Sequence, residues 1–342
     1  MSEPSVQPRD VSESNYPARA PIREQLRFLL NYAVLAPSSH NTQPWLFSIG
    51  DNDVELYADR TRALAVVDPD DRELIMSCGA ALFNLRIALR HFGYTCIIES
   101  FPKRGHPDLL AQIRPGDKRV AAADEQLLFQ AIPQRHTNRL PFEDRDVPEL
   151  LLSELQAAAE AEGAWLHIVR GSDGRNEVAD LIAQGDHLQA SDKRFRRELA
   201  AWLHPNRTQS RDGIPGYAFG VGDWVSYVGP LMIRTFDWGK GQAAKDRQLA
   251  TGSPVLAVVG TENDTPPDWL RAGQALERMV LRARAERVWA SFMNQPIEVP
   301  ELRPKLLNVM DRKGFPQLLV RMGYGPDVKG TPRRPVSEVL PS

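Results

Sequence analysis

The chain has 342 residues, and its 42 Lys and Arg against 44 Asp and Glu give a formal net charge of -2. So small a charge gives no field to capture nucleic acid or an anionic membrane, and 42% apolar residues exclude general disorder. No run approaches the ~18 apolar residues of a membrane span, and the polar start of the chain lacks an apolar signal core. We therefore expect a cytoplasmic protein without nucleic-acid or membrane partners.

Cysteine and histidine patterns exclude several classes of site. Cys78 and Cys96 lie in separate apolar stretches without a CxxC partner or a metal-ligand spacing, which predicts buried thiols in a reducing compartment and no metal centre. The chain has no GxxxxGK[ST], HExxH, GxSxG or strand-linked GxGxxG pattern. Local sequence therefore gives no support for a hydrolase, a nucleoside triphosphatase or a metalloenzyme.

The first part of the chain gives a simple series of predicted elements. Residues 1–20 are polar and contain three prolines, which is typical of a flexible arm. A broad apolar face then predicts a helix, and an Asp-Asn-Asp turn joins predicted strands at 45–49 and 54–58. Apolar positions spaced by three and four residues predict a long helix over 72–91, followed by a strand and by a charged segment of helix and loop over 105–132.

A similar order of elements recurs further along the chain. A helix over 147–162 precedes a strand at 165–169. A run of eight small and apolar residues at 253–260 predicts a buried strand, and the pattern over 269–292 predicts a second long helix. This order of helix, strand, long helix and strand is the same in both halves.

A short sequence match supports an internal duplication. The residues GAAL at 79–82 align with GQAL at 273–276, inside the two long helices. Together with the recurring order of elements, the match predicts two homologous halves, at 21–130 and 131–342.

Residues 205–245 have no counterpart in the first half. They contain the Gly- and aromatic-rich run GIPGYAFGVGDW at 213–224. One interpretation is a solvated helix with a mobile loop. The other is a lid, because the glycines permit hinges and Tyr217, Phe219 and Trp224 can cover a planar ligand.

The most informative local motif is APSSHNTQPW at 36–45. One interpretation is a polar loop whose Ser, Asn and Thr side chains satisfy backbone groups. The alternative is a rigid rim of donors and acceptors for a heteroaromatic ligand, because six polar positions around one imidazole are held between Pro37 and Pro44.

A second motif is RHTNR at 135–139. In an extended segment Arg135, Thr137 and Arg139 share one face, so two guanidinium groups flank a hydroxyl. Such a trio binds phosphate through charge-assisted hydrogen bonds. A basic surface turn is the competing interpretation.

These motifs resemble those of the FMN-dependent nitroreductase superfamily. The first resembles its PS-x-x-N-x-QPW loop, the second its R-x-S-x-R phosphate motif with threonine in the serine position, and 323–325 and 332–336 resemble its closing segment. The length and the RHTNR motif are most similar to the Acg-type branch of NAD(P)H nitroreductases. The resemblance implies an α+β fold, with an antiparallel sheet wrapped by helices.

The resemblance also implies how the cofactor is held. Ordinary members are homodimers with FMN at the interface, the phosphate motif coming from one subunit and the PS-x-x-N loop from the other. Here the first half carries only the loop and the second half only the basic motif. The chain is therefore expected to be a fused pseudo-dimer with one composite FMN site, monomeric or homodimeric in solution.

Ten cofactor-binding residues follow from the resemblance. Four would hold the phosphate and ribityl chain, five would surround the isoalloxazine, and one would face the ring near N5. These are Arg135, Thr137, Arg139 and Arg334; Pro37, Ser38, Ser39, Asn41 and Gln43; and Asn294. No catalytic acid or nucleophile is implied, because the flavin carries the redox chemistry.

Two functions agree with these residues. The first is an oxidoreductase that uses NADH or NADPH to reduce a nitroaromatic, a quinone or another small electrophile. The second is a protein that sequesters FMN under a lid with little turnover. The insertion at 205–245 favours the second, and the flavin motifs suit both.

Overall fold

The structure is a computed structural model that describes residues 8–235 and 239–340. Its helices are α1 (Ile22–Ala33), α2 (Arg72–His91), α3 (Ala123–Ala131), α4 (Glu149–Glu160), α5 (Ser172–Ser191), α6 (Lys193–Ala201), α7 (Asp223–Thr235), α8 (Gly239–Thr251), α9 (Pro266–Ala285), α10 (Gln295–Glu298), α11 (Arg303–Val309) and α12 (Val336–Val339). Across these described ranges, no helix is both long and apolar enough to cross a bilayer.

The strands form two separate antiparallel four-stranded sheets, which confirms the predicted α+β class. They are β1 (Trp45–Ile49), β2 (Val54–Ala58), β3 (Tyr94–Ser100), β4 (Leu109–Lys118), β5 (Trp165–Ile168), β6 (Leu203–His204), β7 (Ile214–Pro215), β8 (Val255–Thr261), β9 (Trp289–Phe292) and β10 (Phe315–Gly323). The first sheet has the order β1-β2-β4-β3 and the second the order β5-β8-β10-β9, while β6 and β7 form a short parallel pair.

The two sheets are covered differently. In β8 every residue is buried, with Val255, Ala257 and Val259 in the cluster shared with α4 and α9. Leu256 and Val258 face the opposite way, into a cluster shared with α5 and α11. Helices α5 and α11 thus cover the second face of the second sheet, which explains why β8 is apolar without alternation.

Two sequence predictions were wrong in detail. The charged segment over 105–132 contains β4, a strand whose outer end is exposed and holds Pro115 and Gly116, so its alternation was hard to recognise. The long helix predicted over 269–292 ends at Ala285, because Arg287 adopts a left-handed backbone (φ 62°) and turns the chain into β9.

Residues 8–20 of the predicted arm lie against the first half. Tyr16 stacks on Phe92 with ring centroids 4.0 Å apart, and its hydroxyl donates to Gln25 at 2.5 Å. Residues 1–7 lie outside the described part of the chain.

Helices α2 and α9 cross with their backbones in contact, and this crossing joins the two sheets. A Cβ on Gly79 would lie 2.3 Å from the carbonyl oxygen of Leu270, and a Cβ on Gly273 would lie 1.9 Å from that of Met76. Neither helix could come so close with a larger residue at these positions. The two glycines are the ones that align in the sequence repeat.

We predict that Gly273→Ala lowers the free energy of unfolding by about 1–3 kcal/mol, because the new methyl group must push the two backbones apart. Gly174→Ala is the matched control, since its Cβ would meet only a Val169 methyl at 3.7 Å. Urea denaturation of both variants checks the prediction. Equal stability of the two variants would contradict it.

Candidate functional site

A cavity of about 720 Å³ lies where the two halves meet. This volume is within the range of pockets that hold cofactors and drug-sized ligands. The loop after α1, the start of α2, the basic motif and the segment after β9 line one part of it, and α5, α7 and α8 line the rest. Residues from both predicted halves therefore line the same cavity.

Six of the ten predicted residues line this cavity and four do not. The lining residues are Pro37, Ser38, Ser39, Thr137, Arg139 and Asn294. Of the other four, Arg135 lies beside Thr137 on a small adjoining pocket. Asn41, Gln43 and Arg334 line neither pocket, so their contact with a cofactor stays a prediction.

The loop after α1 has a strained backbone. His40, Asn41 and Gln43 have φ values of 50°, 56° and 53°, in the left-handed region that side chains other than glycine seldom adopt. Each such residue costs on the order of 1–3 kcal/mol. Strain of this kind persists only where surrounding contacts fix the conformation, and it is concentrated at functional sites.

The amides of Asn41 and Gln43 provide those contacts. Asn41 donates to the carbonyl of Gly213 at 2.8 Å and accepts from Arg333 at 2.7 Å. Gln43 accepts from the backbone N–H of Arg334 at 2.8 Å and donates to a carbonyl at the base of the insertion. The two side chains therefore attach the loop to the insertion and to the C-terminal segment.

Behind the loop lies a buried group of arginines. Arg135 and Arg333 donate to the carbonyls of Leu35 and Ala36, at 2.8 and 3.1 Å, just after α1. Glu277, which is fully buried, lies 3.4 Å from Arg135. Burial and then the nearby cations Arg9 and Arg135 hold the pKa of Arg333 well below its usual value.

Sequence reasoning chose Arg334 and did not include Arg333. Arg334 points away from the arginine group and donates to the carbonyls of Gln43 and Glu338, at 3.1 and 2.6 Å. The Arg-Arg dipeptide was a visible signal, but the sequence alone does not show which neighbour turns inward.

Arg139 presents an unpaired cation to the cavity. Its Nη1 atom is buried without a hydrogen-bond partner, and its guanidinium lies 5.0 Å from the centre of the Phe219 ring. Burial lowers the pKa of Arg139 to about 10. An anionic, hydroxyl-rich group such as the phosphate and ribityl chain of FMN fits this donor.

A hydrogen-bonded carboxylate lies beneath the serine rim. The Ser39 hydroxyl donates to Glu73, and Asn294 donates to the same carboxylate at 3.2 Å. Glu73 is 2% exposed and belongs to α2. Because the Ser39 hydroxyl donates its hydrogen to Glu73, its oxygen is available to a ligand as a hydrogen-bond acceptor. Glu73 belongs to no recognised motif, so sequence reasoning had no signal for it.

A second group of carboxylates also lines the cavity. Asp186 lies on α5, Asp246 on α8 and Glu298 on α10. Burial raises the pKa of all three, and Asp246 raises that of Asp186 further. These residues are far apart in the chain and were missed. Across the described ranges, no group of three or more His, Cys, Asp or Glu is arranged to hold a metal ion.

The insertion contributes much of the remaining wall. Phe219, Val225 and Pro230 are among its lining residues. Tyr217, which was predicted to cover the ligand, instead donates to the carbonyl of Gly330 at 3.0 Å. The side chain of Trp224 lies outside the described residues.

Sequence comparison identifies relatives along nearly the whole chain. Rv3131 of Mycobacterium tuberculosis (strain H37Rv) is 32% identical over 326 residues, covering 94% of this chain and 92% of that protein. PigM of Serratia sp. (strain ATCC 39006) is 31% identical and covers 93% of both chains. Acg of M. tuberculosis is 28% identical and covers 92% of this chain and 95% of its own. All three are named, provisionally, as NAD(P)H nitroreductases.

Other comparisons add less. No family model matches the chain. The FMN and NADPH-dependent nitroreductase NfnB of a Sphigopyxis strain has 16% identity and a TM-score of 0.43, covering 63% of this chain and 98% of its own. A BluB-like flavoprotein from Clostridium difficile 630 has 16% identity and a TM-score of 0.39, covering 62% and 96%. At these scores the structural likeness carries no argument about function.

We predict an acid sensitivity that comes from His40. Burial, and then the Arg139 cation, lower the pKa of His40 from 6.5 to about 4. The unfolded chain therefore takes up the proton first as the pH falls, and the stability that neutral His40 contributes is lost from about pH 6.5 downwards. Between pH 7.5 and 5, the flavin-free protein should lose about 1–2 kcal/mol more unfolding free energy than its His40→Asn variant.

Urea denaturation at both pH values measures this difference. At pH 7.5 His40 is neutral in both the folded and the unfolded chain, so the titration itself contributes nothing there. Parallel pH profiles for the two proteins would contradict the prediction.

Proposed function

Since the chain belongs to the Acg-like branch of the nitroreductase superfamily, we propose that it binds FMN and reduces a small electrophile with electrons from NADH or NADPH. The observation that carries this proposal is the composite cavity. There the loop after α1, which carries Ser38 and Ser39 and is called the serine loop below, lines the same cavity as Thr137 and the unpaired guanidinium of Arg139 from the second half. Nitroaromatics and quinones are the acceptor classes we propose.

The basic residues would hold the phosphate and ribityl chain. Arg139 offers an unpaired donor, and Arg135 and Arg333 form a buried cationic group beside it whose mutual repulsion an anion would relieve. Thr137 lies between them on both pockets. We assign Arg334 the role of positioning the loop through Gln43.

The serine loop would hold the ring. Ser39 offers an acceptor because its proton is donated to Glu73, and neutral His40 adds an unpaired ring nitrogen. When bound, FMN supplies the electron transfer between nicotinamide and acceptor. The tasks of this chain are therefore to bind, to orient and to exclude water, and we assign no catalytic acid or nucleophile.

We further propose that the chain is a fused pseudo-dimer with one FMN. Two sheets of four antiparallel strands support this, as do the aligned glycines at the α2–α9 crossing. Each half would contribute one of the two motifs that ordinary members carry together. In solution the chain would be monomeric or homodimeric.

A second candidate function is sequestration of FMN. It is favoured by the insertion, which lines the cavity and lays Phe219 over Arg139. A lid in this position would limit the access of bulky acceptors to the ring.

We predict that the protein purifies yellow, with about one FMN per chain, and that NADPH or NADH bleaches the visible band. Stoichiometry is measured from the absorbance spectrum after denaturation, and reduction by anaerobic stopped-flow mixing. A bleached band that returns on addition of a nitroaromatic or a quinone supports the oxidoreductase. A persistent band supports sequestration, and a chain that takes up no FMN contradicts both.

We predict that residues from both halves contribute to one FMN site. Arg139→Ala should weaken FMN binding by about 1.5–3 kcal/mol, because a charge-assisted contact is lost. Asn41→Ala should weaken it by about 0.5–1.5 kcal/mol, because the loop loses its bonds to Gly213 and Arg333. Fluorescence titration with free FMN measures both effects.

Arg23→Ala is the control for this pair. Arg23 is exposed and lies in α1. It occupies the region of the first half that corresponds to the basic motif of the second half. The variant should bind FMN like the unaltered protein. A loss equal to that of Arg139→Ala would point to two sites per chain and against the composite arrangement.

A further inference from the structure

Asp186 and Asp246 form a buried pair on the cavity wall. The Nε2 atom of Gln295 donates to both carboxylates, at 3.0 and 3.1 Å, so the two groups lie close together. Asp186 is 4% exposed and Asp246 is 9% exposed. Gly185 makes this arrangement possible, because a Cβ there would lie 2.7 Å from the Cβ of Gln295.

Acceptor oxygens at this pair remain without donors. The Oδ2 atom of Asp186 and the Oε1 atom of Gln295 are buried and have no hydrogen-bond partner. Turning the amide of Gln295 would not help, since its NH₂ group would then leave both carboxylates. Asp246 accepts from Gln295 and Gln242 and is hydrogen-bonded to Asp186. Apart from a proton shared between the two carboxyl groups, the site therefore has more acceptors than donors.

The charges around the pair do not neutralise it. Within the described part of the chain, neither aspartate has a cation at ion-pair distance. Lys245 on α8 and Arg321 on β10 act on Asp246 from further away, and Arg321 donates to the carbonyls of Asn138 and Leu140. From α10, Glu298 faces Gln189 and Glu73.

Two carboxyl groups in contact retain one proton between them. Burial and the neighbouring Asp246 raise the pKa of Asp186, which is the direction expected for such a pair. An incoming cation would displace this proton and restore both negative charges. A primary ammonium group suits the geometry, because its three N–H donors match three acceptors.

We propose that Asp186, Asp246 and Gln295 form a subsite for the primary ammonium group of the small-molecule substrate. The substrate class is then an organic amine that carries the reducible group. The claim that the bound amine is reduced rests on the proposed function. The claim that the subsite binds an amine does not, because binding can be measured without turnover. The same cavity holds the subsite and the residues assigned to FMN.

The test compares benzylamine with benzyl alcohol, which differ in the charged group. Both are titrated calorimetrically into the oxidised, FMN-containing protein at pH 6, 7 and 8. At pH 8 the amine should bind at least ~10-fold more tightly, as expected for a charge-assisted contact. Its affinity should rise with pH, by up to ~10-fold per unit, with release of a proton into the buffer.

Asp186→Asn and Asp246→Asn should each abolish the preference for the amine and the proton release. Asp180→Asn is the matched control, because Asp180 lies on the same helix but pairs with Arg247 at the surface. Equal binding of amine and alcohol by the unaltered protein, or an unchanged preference in both variants, would overturn the proposal. The comparison within the unaltered protein stands even where a variant fails to fold.

A second readout separates this proposal from the proposed function. With 4-nitrobenzylamine and 4-nitrobenzyl alcohol as acceptors, the amine should have a KM at least ~10-fold lower in the unaltered protein and no advantage in Asp186→Asn. If NADPH bleaches the flavin but the amine has no advantage, only the subsite is wrong. If the amine binds but no bleaching occurs, only the oxidoreductase proposal fails.

Discussion

The close crossing of α2 and α9 is the constraint on which the rest of the structure depends. With hydrogen atoms as the only side chains at Gly79 and Gly273, the two backbones touch and the two sheets are held at a fixed separation. Met76 and Leu276, from the same part of the crossing, line the cavity. The crossing also brings Glu73, at the start of α2, within 3.2 Å of Asn294 after β9. The cavity is thus a consequence of helix packing, with its polar rim added by loops.

The rim is held rigid by contacts between residues that are far apart in the sequence. The left-handed residues of the loop are unfavourable by themselves, and they are stabilised because Asn41 and Gln43 bond to the insertion and to the C-terminal segment. The insertion and the last residues of the chain therefore help to set the loop's shape. Changes in either segment are expected to reach the cavity through these bonds.

The cavity is also polarised. Arg139 presents an unpaired guanidinium Nη1 on one part of the wall, and Asp186 and Asp246 place carboxyl groups on another. In a poorly hydrated interior such charges act over longer distances than at the surface. A ligand with separated anionic and cationic groups would be oriented by this field before any close contact forms.

The sequence by itself determined the local elements and the motifs. Helical periodicity, the β1–β2 turn and the serine loop depend on neighbours a few residues apart, so they could be predicted. The end of α9 and the inner strand β4 could not, because a backbone turn at Arg287 decided the first and pairing with β2 and β3 decided the second. Tertiary structure alone decided that Arg333 rather than Arg334 joins the buried arginines, and that Asp186 meets Asp246. The physical reason is that side-chain direction and burial depend on how whole helices and segments pack, which no local pattern records.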